Sequence, residues 1–130
     1  MAQASATGEE GFSLALDSLE SLHWLGIGLA AISGVIHLYL GVQFIGDGLG
    51  VPFLFAGVVF LVGIAAIVVD YRRRTFYALG VPFTLGQIVL WYVINADDIN
   101  AGDIGTLGIV DKVAQVLLVA VLVVLYRRSG

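Results

Sequence analysis

The feature that most constrains this chain is the length of its stretches without charge. No charged residue occurs from Leu49 to Val69 or from Thr75 to Ala96, and two further apolar blocks cover residues 22–44 and 107–126. A helix of a soluble protein keeps a polar face over such a length. About 20 apolar residues are needed to cross roughly 30 Å of hydrocarbon. Each block therefore has the length of one membrane span.

These blocks predict an all-α membrane protein, a four-transmembrane-helix bundle, because backbone groups in lipid must be paired within helices. The composition agrees, with 59% hydrophobic and 12% charged residues and a mean hydropathy of +0.99. A soluble domain carries about 25% charged residues. We predict one transmembrane domain over residues 22–128, with spans at 22–44, 51–69, 76–94 and 107–126.

The segment before the first span is predicted to be a separate, acidic and mostly mobile stretch over residues 1–21. Leucines alternate with acids and serines over residues 13–21, which favours a short amphipathic lead-in at the membrane surface. No Lys or Arg precedes the first apolar block, whereas a cleavable signal peptide begins with basic residues. We therefore expect the first block to stay in the protein as an anchor.

Basic residues predict the orientation in the membrane. Three arginines, residues 72–74, lie between spans two and three, and Arg127 and Arg128 follow span four. The connection between spans three and four instead carries Asp97, Asp98 and Asp103. Cytoplasmic loops carry an excess of Lys and Arg. We therefore expect a multi-pass protein of the cell membrane with both its N- and C-termini in the cytoplasm.

The composition also argues against several classes of chemistry. The chain has no cysteine, which excludes disulfides, thiolate metal sites and cysteine nucleophiles. Only six Lys and Arg are present and the net charge is −4, so we expect no nucleic-acid partner. No pattern indicates a catalytic residue or a metal site, and we expect neither an enzyme nor a bound cofactor. The lipid bilayer is the expected partner.

A few polar residues are predicted to lie at similar depth, between the middle of the membrane and its outer leaflet. This intramembrane cluster comprises His37, Gln87, Trp91, Asp111 and Gln115. Polar side chains in a span face the bundle interior or a cavity, because lipid cannot satisfy them. Two interpretations stay open: the side chains bond to one another and lock the helices, or they line a pocket open to the outside.

Asp111 and Lys112 lie near the predicted outer end of span four. An acid at the start of a helix is favoured by the helix macrodipole, which explains Asp111 without a function. A lysine at this depth can extend its ammonium group to the lipid headgroups. We therefore expect Lys112 to reach the headgroup layer.

Span one carries a stripe with a seven-residue repeat. His23 and His37 belong to it, and Gly34 and Gly41 lie on the same face. Small residues let membrane helices approach closely. The stripe predicts a helix-packing surface. Its partner is a helix of the same bundle, a second copy of the chain or another membrane protein.

The two histidines of the stripe also permit a redox hypothesis. Fourteen residues separate them, which leaves them within about 40° on one helix face and roughly 21 Å apart. Histidine is a common axial ligand of haem. Haem b held by two histidines would need ligands from another subunit, because the chain has no third histidine.

Several segments carry a resemblance to a known group of proteins: Leu22-His23-Trp24-Leu25-Gly26, Ser33-Gly34-Val35-Ile36-His37-Leu38, Asp70-Tyr71-Arg72-Arg73-Arg74, Gln87-Ile88-Val89-Leu90-Trp91-Tyr92-Val93 and Val110-Asp111-Lys112-Val113-Ala114-Gln115. With these segments the chain resembles an uncharacterised family of small four-span membrane proteins from haloarchaea, from Leu22 onward. The resemblance implies this architecture and a cell-membrane location. It implies no activity, and no residue role can be transferred.

Three functional hypotheses follow. The first is a structural or accessory membrane component without chemistry of its own. The second is a small-solute transporter or channel subunit whose outward-facing pocket uses His37, Gln87 and Gln115. The third is a redox subunit that binds haem or a quinone at His37.

Overall fold

The computed structural model describes residues 16–129 of the chain. Four long helices account for most of them: α1 (Ser21–Gln43), α2 (Gly50–Val68), α3 (Arg73–Asn100) and α4 (Thr106–Arg128). Short 3-10 turns lie at Leu16–Ser18 and Ile45–Asp47. Between residues 16 and 129 there is no strand, and all four helices are long and apolar enough to cross a membrane. The predicted all-α four-transmembrane-helix bundle is confirmed.

The helix bounds differ from the predicted spans mainly in α3. It begins three residues earlier than predicted, at Arg73, and continues six residues further, to Asn100. Of the predicted N-terminal segment, residues 1–15 lie outside the described part of the chain. Its last part contains the 3-10 turn Leu16–Ser18, and α1 follows at Ser21.

α3 is interrupted once, close to its end. Asn95 has non-helical backbone angles (φ −108°, ψ 15°), and its side-chain amide donates to the carbonyl of Trp91 at 2.9 Å. A side chain that bonds to the preceding turn competes with the helical ladder. Pro82, although it removes one backbone donor, lies within a continuous helical segment. The last turn of α3 is therefore set apart from the apolar part.

The helices form an incomplete ring. α1 packs between α2 and α4, and α3 packs along α4, whereas α2 and α3 meet over a short stretch only. A core of buried apolar side chains joins the ring: Leu29, Phe60, Tyr77, Ala114, Leu118, Val121 and Leu125. Large apolar side chains on the outside, such as Phe55 and Val93, are more than 60% exposed and suited to lipid. The ring is open between α2 and α3.

The two ends of the bundle differ in charge. The basic end carries the arginines of residues 72–74 and 127–128, and there Arg128 donates to the Glu20 carboxylate at 2.6 Å. The tight turn between α2 and α3 also lies here, with Asp70 and Arg72 in the left-handed region (φ 57° and 49°). The acidic end contains Asp47 and the aspartates of residues 97–103.

Candidate functional site

The glycine stripe of α1 packs against α2 of the same chain. A Cβ added to Gly34 would lie 3.2 Å from Phe60 Cβ, and one added to Gly41 would lie 2.6 Å from the Leu54 side chain. Glycines of α2 reciprocate, since a Cβ on Gly57 would lie 3.0 Å from the Gly34 carbonyl oxygen. Such close backbone approach is available only to residues without a side chain.

The glycine pairing between α1 and α2 occurs a second time, seven residues away on each helix. A Cβ on Gly50 would lie 2.6 Å from the carbonyl oxygen of Gly41. Gly50 and Gly57 thus have the same seven-residue spacing on α2 as Gly34 and Gly41 have on α1. The predicted packing surface is occupied within the chain. Self-association through span one stays a prediction, and it would have to use another face of α1.

The polar residues in the acidic half of the bundle, the half next to the acidic end, form one hydrogen-bonded network. Asp111 lies at its centre. Its carboxylate accepts from the Ser33 hydroxyl at 2.6 Å and from the Lys112 ammonium at 2.5 Å. Asp111 is 4% exposed. An isolated charge is expensive in lipid, so a buried carboxylate next to an ammonium group is far less costly than either ion alone.

Gln115 extends this network to a third helix. Its side-chain amide donates to Ser33 Oγ at 3.2 Å and to Gln87 Oε1 at 3.1 Å, while its Oε1 accepts from Lys112 at 2.8 Å. Gln87 in turn donates to the Phe83 carbonyl at 3.2 Å. Ser33 and Gln115 are both 0% exposed. Helices α1, α3 and α4 are therefore joined by side chains whose hydrogen-bonding groups are matched.

His37 lies at the edge of the network. Its Nδ1 lies 2.8 Å from the carbonyl oxygen of Ser33 and 3.7 Å from Asp111 Oδ1. A carbonyl oxygen can only accept, so Nδ1 carries a proton. The ring packs against Phe53 and Phe60 of α2, with centroids 5.8 and 5.7 Å away. His37 thereby connects the network to the one helix that contributes no polar side chain to it.

Trp91 covers the network without a hydrogen bond to it. The Lys112 ammonium lies 5.6 Å from the centre of its indole ring, a cation–π distance. The indole Nε1 lies beside Gly108 of α4, where an added Cβ would be only 3.3 Å away. The structure thus brings all five residues of the predicted cluster into one region.

Two members of the network differ from the sequence interpretation. Lys112 was expected to extend to the headgroups, yet its side chain is 12% exposed and bonds to Asp111 and Gln115. Ser33 was not singled out, although it receives and donates bonds at the centre. Ser33 lies one helical turn before His37, and that spacing is the signal that could have identified it.

The histidine pair of the redox hypothesis is divided between two environments. His23 lies at the basic end, where its Nδ1 accepts from the Glu20 backbone N–H at 3.0 Å and completes a capping box at the start of α1. His37 is 5% exposed and enclosed by Phe53 and Phe60, so a macrocycle beside it would require repacking of α2. These surroundings do not fit haem. Within residues 16–129 no three His, Cys, Asp or Glu side chains are grouped to hold a metal ion.

Of the comparisons with known proteins, the one with protein families gives a match. No curated protein and no solved structure matches the sequence. A family model matches residues 9–126, which include α1 to α3, all but the last two residues of α4, and every residue of the polar network. The chain therefore belongs to DUF7475, a family of unknown function, and its fold is a bundle of four helices that are long and apolar enough to cross a membrane.

Proposed function

We propose that this protein is a structural or accessory component of the cell membrane, without a catalytic site of its own. The supporting observation is the network of the acidic half, in which Ser33, Gln87, Asp111, Lys112 and Gln115 bond to one another. Polar groups that are paired within the bundle hold helices together and are not free for a substrate. Two cavities within the described part of the chain, one among the helices and one beside Glu20 and Arg128, are lined by other residues.

The proposed setting is a haloarchaeal cell membrane with the basic end in the cytoplasm. The clustering of arginines at one end supports this orientation. The chain lacks cysteine, so single-cysteine labelling can test it. A membrane-impermeant maleimide should label Asp98→Cys from outside intact cells and Ser129→Cys only after lysis. The reverse pattern would overturn the orientation.

A transport function is the second candidate. Three ionisable side chains, His37, Asp111 and Lys112, lie together inside the membrane-spanning region. Ionisable residues at such positions often mark proton or ion pathways. In that case, the network would pass a proton rather than only join helices.

Proton flux into vesicles separates the two candidates. The purified protein is reconstituted into liposomes that contain a pH-sensitive dye, and a pH gradient is then imposed. The structural role predicts acidification at the rate of empty vesicles, together with lower folding stability of Asp111→Asn. A flux above that baseline that is lost in Asp111→Asn, but kept in the matched variant Asp98→Asn, would establish the transport function instead.

A further inference from the structure

An apolar cavity of about 350 Å³ lies in the basic half of the bundle, the half next to the basic end, where α2 and α3 diverge. Side chains of all four helices line it, among them Ile64, Ile67, Phe76, Phe83 and Leu122. The volume is within the range of ligand pockets, roughly 300–1,000 Å³. The space is therefore large enough for a molecule other than water.

The cavity is accessible from the lipid. Leu79 lies at its rim on α3 and is 61% exposed, on the side where α2 and α3 fail to meet. On the α2 side, Gly63 lines the cavity, and a Cβ added there would contact nothing within 4 Å. The chain of a neighbouring lipid can enter through this gap without passing through water.

Two buried side-chain atoms of the described residues have no hydrogen-bond partner, and both belong to this region. Thr84 Oγ1 is one, and Thr84 lines the cavity. Arg73 Nη2 is the other, and its Nε donates to the carbonyl of Ile67, also a lining residue, at 2.8 Å. An unpaired buried group costs about 1–3 kcal/mol, and a charged one costs more. A buried cationic donor without an acceptor therefore lies next to Ile67, at the basic end of the cavity lining, although Arg73 itself is not a lining residue.

Arg73 differs in this respect from neighbouring arginines. Arg74 lies over the Tyr126 ring at 4.1 Å, and Arg128 pairs with Glu20. Arg73 is only 13% exposed, and the one carboxylate near it, that of Asp70, lies 3.4 Å from Nε. Nη2 therefore has no acceptor among the described residues.

We propose that this cavity binds one anionic membrane lipid, with a phosphate oxygen at Arg73 and one hydrocarbon chain along α3 toward Thr84. Guanidinium and phosphate form strong, charge-assisted hydrogen bonds, and basic groups near the cytoplasmic surface attract anionic lipids. Eleven residues separate Arg73 from Thr84, about 16 Å along the helix, a depth that a lipid chain can cover. The lipid fills the gap between α2 and α3.

Native mass spectrometry of the full chain in detergent tests this proposal, with phosphatidylglycerol and phosphatidylcholine of identical chains as probes. We expect one bound lipid and a preference for phosphatidylglycerol of roughly tenfold, the scale of a charge-assisted hydrogen bond. Arg73→Gln should abolish the preference. Arg127→Gln, which removes a charge from the same end of the bundle, should leave it unchanged. Equal retention of both lipids by the wild-type protein would overturn the anionic site.

A second pair of variants tests the cavity itself. Gly63→Leu places a side chain in the open space and should reduce retention of phosphatidylglycerol at least tenfold. Gly86→Leu is the control, because Gly86 is exposed on α3 and an added Cβ there also contacts nothing within 4 Å. Retention that is unaffected by Gly63→Leu, or that falls equally in both variants, would show that the lipid binds elsewhere.

Discussion

The acidic and basic halves of this bundle are built from the same helices but are packed in different ways. In the acidic half, Ser33 and Gln115 are fully buried, and the hydrogen bonds of the network join Ser33 of α1 and Gln87 of α3 to α4. The basic half contains the cavity and the unpaired hydroxyl of Thr84. Lipid tails are as apolar as leucine, so apolar surface alone does not draw membrane helices together.

α2 illustrates why the packing is close in one place and open in another. Its sequence, residues 50–68, contains no polar side chain, so it can join neighbours only through shape. Toward α1 it has Gly57, which allows backbone contact, and there the packing is tight. Toward α3 it offers Ile64 and Ile67, which meet a gap. The closest packing of α2 therefore follows its glycine pairs with α1, and space remains on the side toward α3, where α2 has neither a glycine pair nor a polar bond.

The largest effect is expected for Asp111→Ala, which breaks the charged centre of the acidic half. The Lys112 ammonium would remain buried without its counter-ion, and breaking such a pair costs about 3–5 kcal/mol. Unfolding of the purified protein in mixed detergent micelles measures the loss. Asp98→Ala, at the exposed acidic end, is the control. The double variant Asp111→Leu/Lys112→Leu should recover much of the stability, because no lone charge is left. If Asp111→Ala is as stable as Asp98→Ala, the network does not hold the helices together.

Gly57→Ala should have the next largest effect. The added methyl group would lie 2.7 Å from the Leu38 side chain and 3.0 Å from the Gly34 carbonyl oxygen, so α1 and α2 must separate. Overpacking of this kind costs about 1–3 kcal/mol. Gly28→Ala, whose methyl group would contact nothing within 4 Å, should be neutral or slightly stabilising in the same unfolding assay. Equal stability of both variants would show that the interface adapts.

A matched pair of hydroxyl deletions compares the halves directly. Ser33→Ala should lower the free energy of unfolding by about 1 kcal/mol, because bonds to Asp111 and Gln115 are lost. Thr84→Val should leave it unchanged or raise it, since no protein group bonds to that hydroxyl. A clear destabilisation by Thr84→Val would indicate that the cavity holds a polar molecule at this depth rather than a hydrocarbon chain.

The smallest effect is expected for Gln87→Leu. This change removes one interhelical bond, to Gln115, from a partly buried position. Interhelical hydrogen bonds between membrane helices contribute about 0.6 kcal/mol on average. The same unfolding assay, with Gly86→Leu as the surface control on α3, should show a loss of this size. A loss comparable with that of Asp111→Ala would mean that the network acts as one cooperative unit.

The fold and much of the network could be predicted from the sequence, for a simple reason. Charge-free length identifies membrane helices, and any polar side chain within them must turn inward, which identified Gln87, Asp111 and Gln115. Lys112 was misread because a long side chain near a helix end can reach either water or the interior. Ser33 was missed because serine is small enough to satisfy itself on its own helix.

The cavity has no such signal. It exists because α2 and α3 contact each other over a short stretch only, and a missing contact cannot be recognised from the sequence of either helix alone. Leu79 and Ile64 are ordinary apolar residues of membrane spans, whether they face lipid, a neighbour or a void. The unpartnered Nη2 of Arg73 has no sequence signal either, since the position of Arg73 in an arginine cluster is already explained by the membrane orientation.

The contact between Glu20 and Arg128 has a consequence for how the chain could be rearranged. Because the first and last helices are neighbours and the side chains of Glu20 and Arg128 at their ends form a hydrogen bond, a short linker could join them. New termini could then be cut in the turn at residues 70–72, directly beside the gap between α2 and α3. Such a circular permutant would keep an even number of crossings and all the close helix contacts. The same bundle could therefore be formed by a chain in which the helices follow one another in a different order.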